Sequence, residues 1–192
     1  MASVKERRMN VSWVLADSVI MDPLADVPKM KEIGSMWGSW KTCRGCSTDN
    51  VICHDMGKAQ ELIKRSFQST CNFYIPNEAW VTLDRPDGVQ LYEGKFLDEF
   101  QPEEIVAMHL AASQSDIILL LGFDLTEKTK NPDRLLEHRA HVYRTLVKHC
   151  IENNSEVQWV LVDHPGDVMK FMSKIPNLVK DSMETALSLL DS

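Results

Sequence analysis

The run Ile117-Ile118-Leu119-Leu120-Leu121 is apolar at every position and stops at Gly122. A strand with one wet face alternates polar and apolar side chains, so an unbroken apolar run predicts a strand covered on both faces. Val157 to Val162 repeats the pattern and stops at Asp163-His164-Pro165-Gly166. Strands covered on both faces belong to parallel sheets with helices above and below. These two runs therefore narrow the fold more than any other feature of the chain.

The remaining punctuation fits that expectation. Val11 to Ala16 reads as a first strand ended by Asp17-Ser18, Val51 to His54 as a second, and Cys71 to Ile75 as a third stopped by Pro76-Asn77. Trp80 to Leu83 and Val89 to Tyr92 flank Arg85-Pro86-Asp87-Gly88, a strong turn signal, and read as a small hairpin. Helices are expected over Met56 to Ser69, Pro102 to Gln114 and Asp133 to Asn153. Another is expected from Asn177, with Leu178, Met183, Leu187 and Leu190 facing inward, and a short one over Ser35 to Trp40. Glu103-Glu104 follow Pro102 at the positive end of their helix, where acidic residues are favoured. Alternating strands and helices predict right-handed crossovers. The expected fold is α/β: a Rossmann-like three-layer sandwich with a mostly parallel sheet, one domain over residues 1–192, and a small β-hairpin insertion near 79–95.

Charge excludes some classes of function. With 21 basic and 28 acidic residues the net charge is −7, which argues against a nucleic-acid binder with a basic face. No apolar run approaches the ~20 residues that span a bilayer, and Met1 to Asn10 lacks the apolar core of a signal peptide. Five cysteines without an export signal predict reduced thiols and a cytoplasmic location. A small-molecule ligand and a homo-oligomer or other protein partner remain open.

In an open α/β sheet, ligands bind beyond the carboxyl ends of the strands, where the strand order reverses. The residues expected there are Asp17 and Ser18, His54 and Asp55, Asn77, Gly122 and Asp124, and Asp163 and His164. His54-Asp55 and Asp163-His164 pair an imidazole with a carboxylate, the chemistry of a general acid or base. His54, Asp124 and His164 are thus the candidate catalytic groups, beside a plainer reading of each as a surface, capping or turn residue. The segment from Ile33 to Thr42 mixes glycines, Ser35, Ser39, Lys41 and two indoles. It can present hydroxyls and backbone N–H groups to a phosphate, or bury its tryptophans in the core. Arg134 and His138, early on the long helix, are candidate anion contacts. Cys43, Cys46, Cys53 and His54 have the residue types of a zinc site, and Cys43 with Cys46 those of a redox pair. Reduced, partly buried thiols are the simpler alternative. No cofactor follows from these patterns.

Two stretches carry a resemblance. Ile117 to Leu125 resembles the "LLGFDL" strand-and-turn element of the motility-accessory-factor glycosyltransferases and the bacterial sialyltransferases related to them. Asp49 to His54, a helix, then Asn72 to Pro76 is similar in layout to the second and third strands of such enzymes. The resemblance implies a Rossmann-like fold and binding of a nucleotide or nucleotide sugar at the strand ends. Those enzymes carry a Gly-Pro-Ser turn after the first strand, where this chain reads Ala16-Asp17-Ser18-Val19. The Gly34 to His54 and Gln158 to Gly166 blocks also resemble uncharacterised proteins of tailed bacteriophages, including those of marine cyanobacteria. That second resemblance implies an alternative role as a non-catalytic virion or host-interaction module.

Overall fold

A computed structural model describes residues 9–17, 26–44, 47–92, 102–126 and 134–188. In chain order the described elements are β1 (Val11–Leu15), α1 (Asp26–Ile33), β2 (Ser35–Ser39), β3 (Asn50–Ile52), α2 (Met56–Lys64), β4 (Asn72–Pro76) and α3 (Asn77–Thr82). There follow β5 (Gln90–Tyr92), α4 (Glu103–Ala112), β6 (Ile117–Leu121), α5 (Arg134–Asn153), β7 (Gln158–Val162), β8 (Leu178–Asp181) and α6 (Met183–Leu187). The strands form one eight-stranded sheet in the order β5-β4-β3-β2-β1-β6-β7-β8. Every pairing between these strands is parallel.

The central strands owe their place to having no polar face. All five residues of β6 are buried, as are Trp13, Val14 and Leu15 of β1. The pleat sends alternate residues to opposite sides. Trp13 and Leu15 pack with Val27 and Met30 of α1 and Ala186 of α6. Val14 packs on the other side with Ile105 and Met108 of α4 and with Val147 and Ile151 of α5. Val51, Phe73 and Ile75 bury Ala59 of α2. The result is helix, sheet, helix: the Rossmann-like three-layer arrangement. Gly34 permits the tight return from α1 into β2, because a Cβ there would lie 2.0 Å from the carbonyl oxygen of Val11.

Four expectations need correction. Ser35 to Trp40 is a strand, β2, and not a helix; Met36 and Trp37 are both buried, one on each face. The hairpin near 79–95 is not present among the described residues. Trp80 to Thr82 is helical, and β5 lies parallel to β4, with Tyr74 opposite Gln90. The turn itself is real: Asp84 and Arg85 adopt left-handed φ of 62° and 55°. It joins a helix to a strand, because Pro76 ends β4 and starts α3 at once. The last helix is shorter than expected, beginning at Met183 behind a Ser182 cap, and Leu178 lies in β8. Asn177 caps no helix; its amide donates to Val157 and Asn154 carbonyls at 2.9 and 3.1 Å, pinning the end of α5. Finally, α2 stops at Lys64, and Phe67–Ser69 forms a separate 3-10 turn. Leu190 lies outside the described residues.

Candidate functional site

β1 stands between β2 and β6, so chain connections leave it in both directions along the sheet. This is the switch point at which doubly wound sheets open a crevice. The ladder runs as far as the Ala16 N–H, which donates to the Leu121 carbonyl at 3.0 Å. Beyond it the two chains part: β1 leads into Asp17, and β6 turns at Gly122, whose φ of 82° suits a residue without a Cβ.

Asp17 is tied to the end of β2. Its carboxylate accepts from the Ser39 hydroxyl, from the Thr42 hydroxyl at 3.3 Å and from the Lys41 ammonium at 3.1 Å. The fully buried Ser39 oxygen in turn accepts from the Lys41 and Thr42 backbone N–H groups at 3.1 and 3.3 Å. The donors of this turn are therefore spent on Ser39 and Asp17, which leaves an acidic rim where the resemblance implied a phosphate-holding one. Partial burial acts to lower the Lys41 pKa, but the bond and charge of Asp17, with Glu103 and Glu104, leave it net raised.

Over the ends of β1, β2 and β3 sits the first turn of α4. Glu103 and Glu104 are only 4% and 8% exposed. Glu103 Oε1 accepts the His54 backbone N–H at 2.9 Å. Its Oε2 is buried and has no hydrogen-bond partner among the described residues. Glu104 accepts from the Tyr143 hydroxyl on α5. Burial, first of all, pushes both carboxyls up to about 7, and the Asp17 charge adds to the rise; Lys41 opposes it. The same burial, together with the glutamates, pushes the Tyr92 and Tyr143 phenols upward. Phe123 stacks on Tyr143 with centroids 6.3 Å apart and closes this side of the crevice.

The structure places the other expected residues as follows. The His54 ring is exposed beside this group, its pKa lowered by partial burial and by Lys41. Asp55 caps α2, accepting from the Lys58 N–H at 2.7 Å. Asn77 is the first residue of α3. Asp124 accepts from the Thr126 N–H and hydroxyl at 3.2 and 2.6 Å. Asp163, at a left-handed φ of 47°, accepts from the Met183 N–H at 2.9 Å where α6 begins. His164 is 4% exposed. Its Nε2 accepts from the Leu125 N–H at 3.0 Å, so Nδ1 carries the proton and faces the Gly166 carbonyl at 3.3 Å. It latches the loop after β6 to the loop after β7, and both ring nitrogens are occupied. Ser35 lies at the opposite end of the sheet, bonded to Ser12 at 2.9 Å and accepting from the Trp37 indole at 3.1 Å. It is too far along β2 to share a site with Ser39, since the strand rises about 3.3 Å per residue. His138 is exposed on α5; Ser18 and the Arg134 side chain lie outside the described residues.

Among the described residues the cysteines and His54 form no metal-ligand group. Cys53 is buried with Val51, Ala59, Phe73 and Ile75, while the neighbouring His54 ring is exposed. Burial pushes the Cys53 thiol well above its ordinary value, away from the thiolate that binds metal. Among the described residues no group of three or more His, Cys, Asp or Glu is placed to hold a metal ion. Cys46 lies outside them. No helix of the described residues is long and apolar enough to cross a membrane.

The sequence reading missed Glu103, Glu104 and Tyr143, assigning the glutamates to the helix dipole. A signal was present. Ile105-Val106-Ala107-Met108 is apolar all round, so α4 had to be buried on every side, its first turn included.

Comparison with known proteins gave no match: no family model fits the chain, and no curated protein or solved structure is significantly similar to it.

Proposed function

We propose that this chain is a small-molecule-binding domain whose ligand occupies the crevice between the ends of β1 and β6. The supporting observation is the pair Glu103 and Glu104, buried at the switch point with one carboxylate oxygen unsatisfied among the described residues. Buried polar groups are normally paired, and exceptions concentrate at functional sites. Carboxyl groups at neutral pH recognise hydrogen-bond donors, so the ligand presents hydroxyl or nitrogen donors to α4. A nucleotide-linked sugar, the class implied by the resemblance, fits with its hydroxyls toward Glu103 and Glu104 and its phosphates away from Asp17. Two carboxyls near pKa 7 are also poised to exchange a proton with a bound group.

A thermal-shift panel of nucleotides, nucleotide sugars and free sugars tests this reading. The expected result is a rise in Tm with donor-rich compounds that disappears in Glu103→Gln. No rise with any compound, together with a stable symmetric oligomer in solution, would favour the assembly role instead.

A further inference from the structure

We infer that the Glu103–Glu104 crevice selects a ligand through a positively charged nitrogen, an ammonium or guanidinium, and releases a proton when that ligand binds. This inference rests on the binding role proposed above and specifies its chemistry.

The argument starts from charge. Around the pair stand Asp17 beyond β1, Lys41 beyond β2, Cys53 and His54 beyond β3, Tyr92 on β5 and Tyr143 on α5. Three of the groups gathered here are carboxyls: Asp17, Glu103 and Glu104. Lys41 is bonded to Asp17 and keeps 56% of its side chain in solvent. The imidazole of His54 is held toward its neutral form. Among the described residues the two buried glutamates therefore share little positive charge, and a buried unpaired carboxylate is strongly unfavourable.

Two things can offset a charge at Glu103 Oε2. One is a proton, which agrees with a pKa of about 7. The other is a donor brought by a ligand. A neutral hydroxyl supplies a bond but leaves the charge uncompensated. A cationic nitrogen supplies both, and its several N–H groups can reach more than one carboxyl at once. A phosphate supplies neither and meets Asp17 as a like charge. When the cation enters, the glutamates ionise fully, and any proton they held passes to solvent.

The test uses matched probes on the full chain. Putrescine and arginine carry permanent positive charge between pH 6 and 8, 1,4-butanediol replaces ammonium with hydroxyl on the same carbon chain, and inorganic phosphate is the anionic control. Isothermal titration at pH 6 and pH 8 in two buffers of different ionisation enthalpy measures affinity and proton release together. A cationic probe is expected to bind about ten-fold tighter at pH 8 than at pH 6, with protons released at pH 6. Glu103→Gln and Glu104→Gln should each weaken that dependence and the double variant abolish it, and Glu156→Gln, exposed in the turn between α5 and β7, should leave it unchanged. Glutamine keeps an acceptor for the His54 N–H at position 103 and for the Tyr143 hydroxyl at position 104, so both variants are expected to fold. Equal binding of butanediol and putrescine, or a nucleotide sugar that binds without pH dependence, overturns this inference and leaves the binding role standing. Silence from every probe and every compound of the earlier panel overturns both.

Discussion

At the scale of single residues, two kinds of buried titratable group pull stability in opposite directions with pH. Glu103 and Glu104 have folded-state pKa values raised from 4.5 to about 7. Their contribution is full below 4.5 and is lost as pH rises through 7, on the order of 3 kcal/mol for each. His164 is the reverse: its pKa is lowered from 6.5, chiefly by burial. Its contribution is full above 6.5 and is lost as pH falls, because a second proton on Nε2 would face the Leu125 N–H. Lys180, whose ammonium donates to the Gly166 carbonyl at 2.8 Å, opposes that proton, and Asp124 favours it. Urea titrations from pH 5 to 8 check both signs. Glu103→Gln should gain stability over the parent as pH rises, and His164→Gln should remove part of the parent's loss on acidification. A parent-to-variant difference that stays flat with pH would contradict the assignment. The sequence exposed this scale unevenly. Asp17 was legible because it follows the first apolar strand, whereas Ser39 was drawn from a segment read as a short helix and lies at the end of β2. His164 stood out as an acid–base candidate, but its role as a latch depends on Leu125, a residue 39 positions away that no local pattern connects to it.

At the scale of elements, legibility followed burial on both faces. β6, β7, α4 and α5 could be read because uniform apolar runs and a 3.6-residue period have few alternatives. β2 could not: Ser-Met-Trp-Gly-Ser contains two small hydroxyl residues and a glycine, and its strand state comes from neighbours on both sides. The same holds for β8, four residues long, which is a strand because β7 offers it a free edge, while β5 was read as a strand over Val89 to Tyr92 but pairs in parallel with β4 and not with Trp80 to Leu83. α3 was hidden by a turn signal that was correct about the turn and silent about what it joined. The packing of β2 makes a prediction. In Gly34→Ala the new methyl would meet the Val11 carbonyl oxygen at 2.0 Å, backbone that can yield only by separating α1 from β1. A loss of at least about 2 kcal/mol is expected in chemical denaturation. A neutral result would mean that the α1 to β2 return is looser than described.

At the scale of the whole molecule, one topological fact organises the fold and the site together: β1 is bordered by β2 on one side and β6 on the other. Parallel sheets covered on both faces protect their middle best, so amide exchange should be slowest in β1 and β6 and fastest in the outer strands β5 and β8. Mass-spectrometric exchange profiles check this ordering, and fast exchange in β1 would refute it. The common rim of strand ends was legible because it depends only on strands pointing the same way; the switch point beside β1 was not, because it depends on strand order. Nor was the acidic character of the crevice, because it depends on α4 folding over the ends of three strands that come earlier in the chain.

The central place of β1 also bears on how the chain is made. The strand that completes one side of it, Ile117–Leu121, is translated about a hundred residues after it. At ribosomal rates of 5–20 residues per second, that interval lasts roughly 5 to 20 seconds. Throughout it, Trp13, Val14 and Leu15 leave the ribosome without their partner, a sticky segment that chaperones have time to hold.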